Sequence, residues 1–86
     1  MKNVFEDLGF SHEVALNLRL RACLMLEIEA YIREKGLSQR AAAEFFGVHQ
    51  PRINDIMHTR TEGVSLDALV NMLAKAGKEI ELTVPV

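Results

Sequence analysis

Apolar residues between Ser11 and Lys35 recur at the three- and four-residue spacing of a helical face. Leu16, Leu20, Leu24, Ile28 and Tyr31 form one stripe, which Leu18, Met25 and Ile32 widen. No Pro or Gly interrupts the run, and Ala, Leu, Met, Arg and Glu dominate it. The stretch LNLRL at 16–20 alternates with period two, a strand signal, but it holds none of the β-branched residues that favour strands. The spacing therefore predicts one long helix, with Ser11 as N-cap, a supporting Glu29–Arg33 pair and Gly36 as its stop. So wide an apolar face exceeds what a short chain covers. Either residues 1–10, read as a tail with anchors at Val4, Phe5, Leu8 and Phe10, fold over it, or part of it meets a partner.

Shorter periodic segments follow. LSQRAAAEFFG predicts a helix capped by Ser38 and ended by Gly47, with Ala42, Ala43, Phe45 and Phe46 apolar. VHQPRINDIMH predicts a second, entered through His49, with Pro51 in the first turn, where its missing N–H costs no bond. Ile53, Ile56 and Met57 supply its inward face. Ser65 opens a further helix through Ala76, with Leu66, Leu69, Val70 and Leu73 inward and Gly77 closing it. The segment 79–84 then alternates Ile80, Leu82 and Val84 against Glu79, Glu81 and Thr83, a strand pattern. A lone strand leaves its backbone unpaired, so this one is expected to pair, preferably across a homodimer. The fold class read from the pattern is mainly all-α: a bundle of about four helices with a short C-terminal β-strand, in one domain spanning 1–86.

Composition narrows the function. At 86 residues the chain holds one domain, with a single cysteine, Cys23, and no internal disulfide. It has neither a signal-like apolar run at its start nor the roughly 18 apolar residues of a membrane span, so the expectation is a soluble, cytoplasmic domain without membrane contact. The net charge of −2 argues mildly against nucleic acid, but its distribution matters more. Between 33 and 60, Arg33, Lys35, Arg40, Arg52 and Arg60 outnumber Glu34, Glu44 and Asp55 and leave this third net positive, while both flanks are net negative.

That positive third contains a helix-turn-helix over 38–58. Small Ala43 allows a close crossing, Gly47 permits a left-handed turn, and Val48, Ile53 and Ile56 lock the second helix on the first. At the start of the second helix, His49, Gln50 and Arg52 face outward; Gln bonds adenine bidentately, and Arg takes guanine or a phosphate. Asp55 accepts from cytosine N4 or holds an arginine. Ser38 and Gln39, with Arg40 beside them, open the preceding helix where phosphates bind, and His58, Thr59 and Arg60 brace the backbone on the other side. A solvated polar surface is the plain alternative for each, and Asn54 reads as such a surface. Cys23, inside an apolar helical run, reads as a buried small hydrophobe rather than a nucleophile. The three histidines lack metal-ligand spacing and there is no Gly-rich phosphate loop, so no enzyme, metal or cofactor is expected.

LSQRAAAEFFGVHQPRINDIMHTR resembles the lambda-repressor-like helix-turn-helix of XRE-type regulators. With NVFEDLGF before it and SLDALVNMLAKAGKEIELTV behind, the whole chain is similar to a compact subgroup of HigA-like antitoxins. The resemblance implies a dimeric repressor that binds an inverted-repeat operator in double-stranded DNA and represses its own operon, and in toxin–antitoxin members neutralises a RelE/HigB-like toxin. It maps base contacts onto His49, Gln50, Arg52 and Asp55, and phosphate contacts onto Gln39 and Arg60. His49 stands where Ser or Thr is common, and Pro51 removes a side chain that elsewhere reaches a base. Two other readings stay open: a stand-alone regulator of the same type without a toxin, and a protein-interaction module on a helix-turn-helix scaffold.

Overall fold

The run from 11 to 35 forms one helix in the computed structural model, which describes residues 3–85. In chain order the elements are α1 (Val4–Asp7), α2 (His12–Glu34), α3 (Gln39–Phe46), α4 (Gln50–Met57) and α5 (Leu66–Lys75). Ser11, Ser38 and Ser65 each turn a hydroxyl onto a backbone N–H of the turn they open, those of Val14, Ala41 and Ala68. The long helix ends as Leu37 N–H reaches back to the Ile32 carbonyl around Gly36.

Residues 3–10, expected as a tail, are held. Asn3 is buried: its Nδ2 donates to the Ala15 carbonyl at 3.1 Å and its Oδ1 caps α1 through Phe5 N–H. His12 Nδ1 and Glu6 Oε1 meet at 2.6 Å across the α1–α2 corner. Asn3 supplies the N-cap that makes so short a helix worth forming, which raises the helix count to five.

The core is one cluster in which Met25, Ile28 and Ile32 of α2 meet Ala42, Ala43 and Phe46 of α3, Ile53 and Ile56 of α4, and Leu69, Met72 and Leu73 of α5, with Val64 filling the loop. Burial on α5 follows Leu69, Met72 and Leu73, so Met72 takes the inward place expected of Val70, which is exposed. The stripe on α2 divides. Its C-terminal half is buried at Met25, Ile28 and Ile32 and half-buried at Leu24 and Tyr31, whereas Leu16 and Leu20 are exposed, as is Cys23, which is therefore not the buried hydrophobe its neighbours suggested.

The segment 79–84 forms no strand; among the described residues there is no strand at all, and Ile80, Leu82 and Val84 are exposed. The described residues offer no second strand for its backbone groups, so the alternation finds no ladder among them. Leu82 and Val84 instead flank a groove whose other wall is Leu16, Leu20 and Cys23 of α2.

Candidate nucleic-acid interface

Helices α3 and α4 are joined by three residues, Gly47, Val48 and His49. Gly47 takes φ +68°, and Val48 N–H returns to the Ala43 carbonyl at 3.0 Å. A Cβ on Gly47 would meet only Lys75 Nζ, at 3.6 Å, so backbone conformation rather than crowding calls for glycine here. His49 is extended, makes no side-chain cap, and hands the chain to α4 with Pro51 in the first turn. Ala42 is fully buried and Ala43 nearly so, and Ile53 and Ile56 are fully buried from the other side. With 53 and 56 fully buried, 50 and 51 are exposed and 54 and 55 half-buried.

These four residues line one shallow, open depression together with Gln39 of α3 and Arg60 beyond α4. Polar bonds tie it across the two helices. Asn54 Nδ2 donates to Gln39 Oε1 at a long 3.5 Å, and Arg60 Nη1 donates to Asn54 Oδ1 at 2.9 Å and Asp55 Oδ1 at 3.2 Å. Arg60 reaches them because the chain doubles back at Thr59, which takes φ +52°, the one non-glycine with positive φ among the described residues. Thr59 N–H then bonds the Ile56 carbonyl at 3.0 Å and Arg60 N–H the Asp55 carbonyl at 2.8 Å, the closure usually made around glycine. His58 Nδ1 lies 2.8 Å from the Asn54 carbonyl oxygen and helps finish the same turn.

The residues expected from sequence thus fall into groups. Gln50, Asp55, Gln39 and Arg60 share the depression. His49 and Arg52 lie on its far flank with Gly47 and Val48, where Asp55 also contributes. Arg52 is half-buried and borders Asn71 and Lys75 of α5 as well, so it is carried at the side of α4. The Ser38 hydroxyl is committed to its helix cap at 3.0 Å. Arg40 is exposed and pairs loosely with Glu44, at 3.7 Å. Two members of the depression, Pro51 and Asn54, were not expected to be contact residues, Pro51 being read as the loss of a base-reaching side chain and Asn54 as solvated surface. For Pro51 the signal was present in the inward set, since fixing 53, 56 and 57 as core puts 51 on the opposite side, whereas the half-buried Asn54 lies at the edge between the two faces.

The fold and this exposed polar face define a helix-turn-helix protein, the class that carries DNA-binding regulators. The chain belongs to the helix-turn-helix domain family, whose sequence model matches residues 4–85. No curated protein matches it. Among the described residues no helix is long and apolar enough to cross a membrane.

Proposed function

We propose that the protein is a sequence-specific transcriptional repressor of the XRE type that acts as a homodimer on an inverted-repeat operator and works by binding rather than catalysis. The observation that carries this reading is the depression on α4, where Gln50 and Asp55 present an amide and a carboxylate beside Arg60 on the outward side of the packed second helix. Such groups match the donor and acceptor pattern of base edges in a major groove. Arg40, Arg52 and Lys75 add cationic edges that suit phosphates. The antitoxin reading, with autoregulation and a RelE/HigB-like toxin as partner, rests on the likeness in size and flanking segments to compact HigA-like proteins.

A gel-shift titration with the DNA upstream of the chain's own gene, at two salt concentrations, tests this. Wild type binds that DNA in preference to a scrambled duplex and weakens steeply with salt. Gln50→Ala erases most of the preference, costing about 1–3 kcal/mol at the base it reads. Arg52→Ala, on the flank, lowers affinity for both duplexes alike. Absence of any preference in wild type would sink the repressor reading.

A further inference from the structure

We propose that Asn54 is the positioning residue of the DNA interface, holding Arg60 as a phosphate clamp on the recognition helix; this rests on the DNA-binding reading above. Arg60 lies outside α4 in sequence, and a long cation in a loop would ordinarily sample many rotamers. Here three features fix it. The Asn54 amide oxygen takes Nη1 at 2.9 Å, the Asp55 carboxylate takes the same nitrogen at 3.2 Å, and the left-handed Thr59 turns the backbone so that the guanidinium folds back over the last turn.

Both bonds use Nη1. Among the described residues Nε and Nη2 have no protein partner, which leaves one edge of the guanidinium for an anion, and the side chain is about half exposed, at 53%. A guanidinium edge matches two phosphate oxygens. Backbone strain at a β-branched residue persists where the surroundings over-determine it, and such positions cluster at binding sites. Asp55 alone would pull Arg60 onto itself as a simple ion pair. The neutral amide of Asn54 supplies a second acceptor and so fixes the direction of the guanidinium with no negative charge beyond that of Asp55. The same amide donates toward Gln39, which links the clamp to the start of α3.

Asn54→Ala, Arg60→Ala and the double variant, titrated with the upstream duplex and a scrambled duplex over a range of salt, test the proposal. Arg60→Ala is expected to weaken binding to both duplexes on the order of tenfold and to reduce the slope of log K against log salt by about one. Asn54→Ala should reproduce both effects, and in the Arg60→Ala background should add less than about twofold, as expected for two residues acting through one contact. Thermal melts of each variant separate this from unfolding, and Asn54→Ser, too short to reach Nη1, should behave as the alanine variant does. Additive losses, or an Asn54→Ala effect confined to one base position at unchanged salt slope, would overturn the positioning role in favour of direct base contact. If wild type binds neither duplex, the DNA reading itself fails; if wild type binds and Asn54→Ala is indistinguishable from it, only this inference fails.

Discussion

Two left-handed residues bracket the recognition helix, and they differ in what they cost. Gly47 adopts φ +68° without penalty, while Thr59 adopts φ +52° against the clash of its Cβ with the backbone. Gly47→Ala meets only Lys75 Nζ at 3.6 Å, a flexible group at ordinary contact distance, so the expected loss is the left-handed term alone, about 1–2 kcal/mol. In a domain of this size that lowers the thermal midpoint by about 4–8 °C per kcal/mol, and Gly47→Asn should recover part of it. An unchanged midpoint in Gly47→Ala would mean that the turn relaxes to another conformation.

At the scale of elements, the crossing of α3 on α4 depends on how little Ala42 and Ala43 occupy. Ala42 is fully buried between the two helices and α2, so Ala42→Leu forces them apart and should cost about 1–3 kcal/mol. It should also weaken DNA binding in protein that remains folded, because the depression is shared between Gln39 of one helix and four residues of the other. The exposed Ala30→Leu serves as control, with stability expected to stay within about 0.5 kcal/mol. Equal melts for the two variants would show that the crossing tolerates bulk. The limits of α2, α3 and α5 were legible because serine caps and glycine stops act locally, through hydrogen bonds made within one turn. Which apolar residues each helix buries was less so: Val70 and Met72 are both apolar, and only the angle at which α5 meets α2 decides between them. The α1 corner was missed because its cap, Asn3, is anchored on Ala15, a contact across twelve positions that no local pattern announces. In the candidate site, Gln50 and Asp55 were legible from the face they occupy. The flank position of Arg52 and the Asn54–Arg60 bond depend on α5 and on the turn at Thr59.

The whole molecule raises the question of how one copy could select an operator. Its longest dimension is 38 Å and its recognition helix has eight residues, about 12 Å of helix. On the proposed repressor reading one copy reaches a single stretch of major groove, whereas an inverted repeat presents two such stretches about 34 Å apart. The proposed dimer needs a face away from α4's outer side, and the residues left uncovered nominate one: Leu16 and Leu20 on α2, with Leu82 and Val84 across the groove from them. The segment 79–84 has the alternation of a strand and no ladder among the described residues, so a two-fold pairing of this segment would satisfy backbone and apolar side chains together. Leu82→Glu with Val84→Glu removes apolar surface from residues that are 75% and 85% exposed in one copy, so the fold of the single chain should survive, with a thermal midpoint close to that of wild type at low concentration. Sedimentation should then find wild type at twice the mass of the variant, and the variant should lose most of its operator affinity while still binding scrambled DNA weakly. A wild-type chain that stays monomeric at concentrations saturating its operator would remove the dimer from the proposal and leave each half-site to be read independently.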